Sequence, residues 1–114
     1  MRGDRERLVD ILEAIERIER YALRGEAAFR ADELIQNWMT RQLQVIGEAA
    51  RTLSQEFRDS APEVPWSYII GMRHILVHQY FEIDLDTVWH VVHSDLPRLK
   101  DMIEGLVGMV DAEP

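Results

Sequence analysis

Three side chains with complementary chemistry lie within eight residues of each other: Arg73, His78 and Tyr80, in the pattern R-x4-H-x-Y. Arg73 keeps its charge at every physiological pH and offers a planar set of donors that matches phosphate oxygens. His78 titrates near neutrality and can take the proton from a ribose 2′-hydroxyl, so that this oxygen attacks the adjacent phosphate. Arg73 would stabilise the charge that develops there. This pairing predicts RNA cleavage without a metal, leaving a cyclic phosphate and a 5′-hydroxyl.

Each of these residues also has an ordinary structural interpretation. A histidine near a helix end is more often structural than catalytic. Arg73 could form a salt bridge with Glu48 or Glu63. His74 and His78 have the i,i+4 spacing of a zinc pair, but the chain has no cysteine, and neither the metalloprotease pattern nor a third ligand is evident. We therefore expect no metal and no other cofactor.

The spacing of Arg73 and His78 bears on assembly. Five residues on an α-helix place the two side chains about 140° apart around the axis and ~7.5 Å apart along it. One straight helix does not easily direct both at one phosphate. A second copy of the helix across a two-fold axis could, so the spacing predicts a homodimer with a shared cleft.

The elements that must position these residues are all predicted to be helices. Apolar residues recur at three- and four-residue steps, and no stretch alternates as a strand would. A first helix is expected from about Asp4 to about Arg24, ended by Gly25. A second begins after Asp32, which could cap it, and its apolar stripe extends to Phe57.

The second half of the chain predicts two further helices. Pro62 and Pro65 mark a loop, and a third helix would run from Pro65 or Trp66 to about His78. Asp84 could cap the fourth, which Pro97 would kink or divide. Gly47, inside the second helix, is predicted to allow another helix to approach closely. The expected fold is all-α, an up-and-down four-helix bundle in a single domain, residues 1–114.

Composition limits the possible partners and location. The absence of cysteine, of a secretory leader and of a long apolar run favours a cytoplasmic protein that contacts no membrane. The net charge of −8 argues against a simple nucleic-acid binder. Most of the net negative charge lies after Phe81, however, where eight acidic residues face only Arg98 and Lys100, and 12 of the 13 basic residues of the chain are arginine, which suits phosphate contacts.

The chain resembles the HepT-like branch of the HEPN superfamily. The resemblance rests on R-x4-H-x-Y and on four further stretches in order: I-G-E-A-A, V-P-W, D-L-D-T-V-W and D-L-P-R-L-K, which begin at residues 46, 64, 84 and 95. It implies a homodimeric ribonuclease toxin with the motif at its interface. It also implies an MntA-like nucleotidyltransferase antitoxin that transfers AMP to Tyr80. His74 departs from the family, in which a polar residue, often Asn, is expected.

Two other function classes compete with the ribonuclease toxin. The first is a non-catalytic HEPN dimer that binds a nucleotidyltransferase partner or a nucleotide, which the acidic balance favours. The second is a purely structural bundle, which leaves the R-x4-H-x-Y spacing to chance. The substrate class on the leading hypothesis is RNA, either tRNA or mRNA.

Overall fold

The computed structural model describes residues 3–75 and 83–112, and these residues form helices and no β-strand. No helix among them is both long and apolar enough to span a lipid bilayer. The all-α prediction is therefore confirmed. In chain order the elements are α1 Asp4–Ala22, α2 Glu26–Ala31, α3 Glu33–Thr52, α4 Gln55–Ser60, α5 Trp66–Ile75, α6 Leu85–His90, a π-helical turn Val91–Asp95, and α7 Leu96–Ala112.

Helix α1 lies between α3 and α7, and both run antiparallel to it. At one end of α1, Asp4 accepts hydrogen bonds from Ser54 N and Oγ, each at 2.8 Å, just after α3. At its other end, the Nζ of Lys100, early in α7, lies 2.9 Å from Glu19 Oε1. Helix α5 packs on the far side of α3. This order, α5–α3–α1–α7, is the predicted four-helix bundle.

The core is formed by the apolar stripes that the sequence indicates. Each long helix contributes fully buried side chains at i, i+3 and i+4 steps, as an amphipathic helix in a bundle does. They include Leu8, Ile11, Ile15 and Ile18 of α1, Met39, Leu43 and Ile46 of α3, Ile69 and Met72 of α5, and Leu96 and Ile103 of α7.

The end of α1 confirms the role predicted for Gly25 and shortens the helix slightly. The helix ends at Ala22, and Leu23 and Arg24 form a turn rather than continuing it. Gly25 has φ of +89°, a conformation that only glycine adopts without strain. The apolar pattern gives no indication of the short helix α2 that follows.

Helix α3 begins as predicted but ends earlier. Asp32 caps it by accepting a hydrogen bond from Leu34 N at 2.9 Å. The helix ends at Thr52 instead of continuing to Phe57, because Leu53 is extended and Ser54 is bound to Asp4 of α1. Ser54 Oγ then accepts a bond from Phe57 N at 3.1 Å and starts α4.

The last helical segment begins at the predicted cap and is interrupted near the predicted proline. Asp84 Oδ1 accepts a hydrogen bond from Thr87 N at 3.0 Å. Pro97 has no N–H, and its ring would clash with the carbonyl of residue 93 in a regular helix. The π-helical turn Val91–Asp95 lies where that clash would occur, and its wider winding accommodates the proline.

Candidate functional site

Arg73 lies near the end of α5, where this helix crosses α3 at Gly47. A Cβ atom added at Gly47 would lie 2.9 Å from Arg73 Cγ, 3.0 Å from Arg73 N and 3.0 Å from Ile69 O. Only glycine leaves room for the backbone of α5 at this distance. The prediction that Gly47 serves close helix packing is confirmed, and the residue that it accommodates is the candidate catalytic arginine.

The guanidinium of Arg73 is held by two neighbouring side chains. Its Nη1 donates a hydrogen bond to Glu48 Oε2 at 3.2 Å, and its Nη2 lies 3.0 Å from His74 Nε2. For Nη2 to donate to this nitrogen, His74 must be neutral with its proton on Nδ1. The side chain of Arg73 is 27% exposed, so it is partly buried.

Glu48 is shared between two arginines. Its Oε1 accepts from Arg51 Nη2 at 2.6 Å, three residues further along α3, while its Oε2 contacts Arg73. The hydrogen bonds from Arg51 and then from Arg73 lower the pKa of Glu48 from 4.5 to about 2. Glu48 is therefore ionised at any pH near neutrality. Two arginines and one carboxylate leave this cluster with a charge of +2 − 1 = +1.

Of the predicted site residues, the structure describes Arg73 alone. His78 and Tyr80 lie outside the described residues, so their distances to Arg73 stay predictions. The sequence offers Glu48 and Glu63 as salt-bridge partners of Arg73, and the structure shows the ion pair with Glu48.

The sequence indicated the other members of this cluster only weakly. The sequence suggests Glu48 only as one of two alternative partners of Arg73, and it does not point to Arg51. The i,i+3 spacing of these two residues is a signal for an ion pair on one helix face. Their connection to Arg73 depends on the approach of α3 and α5 at Gly47, which no local pattern specifies.

The described residues around Arg73 do not form a metal site. Within the described ranges, no group of three or more His, Asp or Glu side chains is arranged to hold a metal ion. His74, half of the weak zinc pair, directs its Nε2 to the guanidinium of Arg73.

A groove of about 400 Å³ lies between α5 and α7, on the side of the bundle where these two helices face each other. Tyr68, Met72 and Met102 give it a largely apolar lining, to which Asp95 and Arg98 add charges. Tyr68 bridges the groove with a hydrogen bond of 2.6 Å from its hydroxyl to Asp95 Oδ2. Tyr68 and Met102 remain 43% and 37% exposed.

Comparison with known proteins places this helical domain in a family. Residues 11–106 match the model of the family described as "Ribonuclease HepT-like". The chain belongs to the Ribonuclease HepT-like family, as its resemblance to HepT-like HEPN proteins predicted.

Two relatives of similar length are named as ribonucleases. The chain is 37% identical over 108 residues to "Probable ribonuclease HepT" of Thermococcus cleftensis, covering 92% of this chain and 96% of that protein. It is 40% identical over 76 residues to "Putative RNase MJ1380" of Methanocaldococcus jannaschii, covering 67% and 70% of the two chains.

A third relative is a longer protein. "Gamma-glutamylcyclotransferase and putative RNase MJ0434", also of Methanocaldococcus jannaschii, is 38% identical over 102 residues, which are 89% of this chain. The matched region spans only 46% of that relative's length. No solved structure gives a significant match to the chain.

Proposed function

We propose that the protein is a ribonuclease that cleaves RNA without a metal, with Arg73 and His78 as its catalytic residues. The observation that supports this most directly is the way in which neighbouring side chains hold Arg73. Its side chain is 27% exposed, and its guanidinium is fixed by Glu48 on one side and oriented by His74 on the other. A fixed guanidinium on a side chain that is not fully buried is suited to stabilise charge on a phosphate that is under attack.

The donor count of Arg73 leaves room for a phosphate. A guanidinium has five N–H groups, two on each terminal nitrogen and one on Nε. Glu48 and His74 each engage a different terminal nitrogen, so each of these nitrogens has a second N–H. Two N–H groups on separate nitrogens match two phosphate oxygens. His78, five residues later, would be the base that removes the 2′-hydroxyl proton.

The active form in this proposal is a homodimer. On one regular helix, residues five positions apart would lie about 140° apart around the axis, so Arg73 and His78 would not easily be directed at one phosphate, whereas a second copy could complete the cleft. Tyr68 of α5 and Met102 of α7 are both partly exposed, and a second copy of the chain could cover the apolar surface that they leave open.

The biological role in this proposal is that of a toxin in a toxin–antitoxin pair. A partner nucleotidyltransferase resembling MntA would transfer AMP to Tyr80, two residues beyond His78. The added phosphate would bring negative charge next to Arg73, occupy the phosphate site and so exclude RNA.

A second candidate function is a non-catalytic dimer that binds the nucleotidyltransferase or a nucleotide. The net charge of −8 favours it, since acidic proteins repel RNA. The ion pair of Arg73 with Glu48 also favours it, because this pair gives the arginine a structural partner.

RNA cleavage in EDTA by the purified, unmodified protein tests the proposal. We expect products with cyclic phosphate termini, and a loss of roughly a hundredfold or more for His78→Ala. Arg73→Ala should lose activity to a similar degree because the phosphate charge is no longer stabilised.

Matched controls are available on other helices. His93→Ala removes a histidine that stacks on Trp89, and Arg17→Ala removes an arginine paired with Glu13. Both should retain activity. If Arg73→Ala and His78→Ala cleave RNA as fast as the parent protein, the motif is not an active site and the binding function is favoured.

A further inference from the structure

We infer that Glu48 is a positioning residue for the ribonuclease reaction: its carboxylate, anchored by Arg51, fixes the guanidinium of Arg73 in the orientation that receives the phosphate. This inference rests on the proposed function and names a residue on a different helix from the motif. It begins with the contact of 3.2 Å between Arg73 Nη1 and Glu48 Oε2.

The backbone brings the two helices together at this point. Gly47 immediately precedes Glu48, and the missing Cβ lets the N and Cγ atoms of Arg73 approach α3. The aliphatic stem of Arg73 is thus packed against α3, while its charged end meets the next side chain along that helix. Packing of the stem and binding of the tip together leave the side chain few alternative rotamers.

Arg51 holds Glu48 in place from the other side. It binds Glu48 through Nη2 at 2.6 Å to Oε1 and through Nε at 3.4 Å to Oε2. A carboxylate with an arginine on each oxygen has little freedom to rotate, so Glu48 presents a fixed acceptor to Arg73. Arg51 therefore acts on the site through Glu48 rather than through the substrate.

The titration of Glu48 separates positioning from proton transfer. A carboxyl group with a pKa of about 2 stays ionised throughout the neutral range and does not take up a proton there. Replacing it should therefore leave the pH profile of cleavage unchanged in shape. A residue that acted as the general base would remove one limb of that profile when replaced.

The change in charge distinguishes a loss of positioning from a simple loss of stability. Glu48→Gln raises the charge of the cluster of Arg51, Glu48 and Arg73 from +1 to +2, which favours RNA binding. At the same time it frees the guanidinium of Arg73 from its charged acceptor. We expect kcat to fall by about tenfold or more, because preorganisation of the phosphate contact is lost, with KM unchanged or lower. A merely destabilising change would not lower KM.

The experiment compares the parent protein with Glu48→Gln, and with Glu13→Gln as the matched control. Glu13 also pairs with an arginine on its own helix and has a similar exposure, 54% against 52% for Glu48. Glu13→Gln should keep kcat, KM and the pH profile. In an Arg73→Ala background, Glu48→Gln should cause no further loss, because its effect passes through Arg73.

A second measurement does not depend on activity. Nuclear magnetic resonance of the arginine side chains reports how freely the guanidinium of Arg73 rotates. We expect hindered rotation in the parent protein and in Glu13→Gln, and free rotation in Glu48→Gln. If the parent protein cleaves no RNA, the proposed function fails, while this measurement still decides whether Glu48 holds Arg73.

Two results would overturn the inference. One is cleavage by Glu48→Gln with the kcat and KM of the parent protein. The other is a guanidinium of Arg73 that rotates equally freely in the parent protein and in the variant.

Discussion

Gly47 of α3 lies directly against Arg73 of α5, so closely that a Cβ on Gly47 would be 2.9 Å from Arg73 Cγ and 3.0 Å from Arg73 N. One of these contacts is to backbone, which cannot move without shifting the whole of α5. The smallest residue of α3 therefore sets the position of the charged side chain that is the candidate for phosphate binding.

Gly47→Ala should consequently destabilise the protein, although alanine is the better helix former. Overpacking costs about 1–3 kcal/mol, and we expect a value in the upper part of this range because backbone atoms of α5 cannot move aside as a side chain can. Such a cost exceeds the ~1 kcal/mol that the alanine contributes to the helix. Urea unfolding measures the change. RNA cleavage should fall as well, because α5 and Arg73 are displaced from Glu48.

Gly105→Ala provides the control for this variant. Gly105 is an exposed residue of α7, and nothing lies within 4 Å of the Cβ position. Gly105→Ala should raise the free energy of unfolding by roughly 1 kcal/mol. Equal stabilisation of both variants would show that α3 and α5 are not in close contact at Gly47.

Tyr68 is expected to titrate at unusually high pH. Burial, followed by the hydrogen bond to Asp95 and its charge, raises the pKa of Tyr68 from 10.0 to about 12. Because the raised value favours the neutral phenol in the folded state, the stabilising contribution is complete below pH 10 and is lost as the pH rises through about 12.

Ultraviolet titration of tyrosinate measures this value as the difference between the parent protein and Tyr68→Phe. Asp95→Asn should lower the pKa only partly towards 10, because burial is the larger cause. A midpoint near the ordinary value for Tyr68 in the parent protein would contradict the contact across the groove between α5 and α7.

The fold could be predicted from sequence where the signals are local. Asp32 and Asp84 lie at the starts of apolar stripes, and Gly25 lies at the end of one, so the sequence predicts both caps and the turn. The sequence does not predict the early end of α3. Phe57 keeps the apolar phase of the helix, and the interruption depends on the bond from Ser54 to Asp4, 50 residues away in the chain.

In the candidate site, too, the sequence predicts the local features but not the contacts that depend on helix packing. The types and spacing of Arg73, His78 and Tyr80 were enough to suggest phosphate chemistry. The choice between Glu48 and Glu63 as partner of Arg73 was left open, because it depends on which helix α5 packs against. The role of Arg51 cannot be predicted from the sequence, because its effect on Arg73 passes through Glu48.

Mixed dimers of Arg73→Ala and His78→Ala subunits test the shared cleft. If each cleft takes Arg73 from one subunit and His78 from the other, one of the two clefts in every mixed dimer keeps both residues. Random mixing in equal amounts makes about half of the dimers mixed, so activity should recover to roughly a quarter of that of the parent protein. Each variant alone should remain inactive.

Sedimentation of the parent protein complements the mixing experiment. It should show a dimer at the concentrations at which RNA is cleaved. A fully active monomer would exclude the composite site, as would a mixture of the two variants that stays inactive although its subunits exchange.

Tyr80 is the predicted point of control, because it lies two residues beyond the proposed base and one short segment beyond Arg73. Co-expression with the cognate nucleotidyltransferase should give a protein that carries AMP on Tyr80 and no longer cleaves RNA. The transferred phosphate would add negative charge close in sequence to Arg73, which belongs to a cluster whose net charge is +1, and we expect it to compete with RNA for the guanidinium of Arg73. Tyr80→Phe keeps the aromatic ring but has no hydroxyl to modify, and it should remain toxic in the presence of the partner.

Tyr68 is an internal control, since its hydroxyl is bound to Asp95. AMP found on Tyr68 by peptide mass mapping, or complete neutralisation of Tyr80→Phe by the partner, would refute this switch.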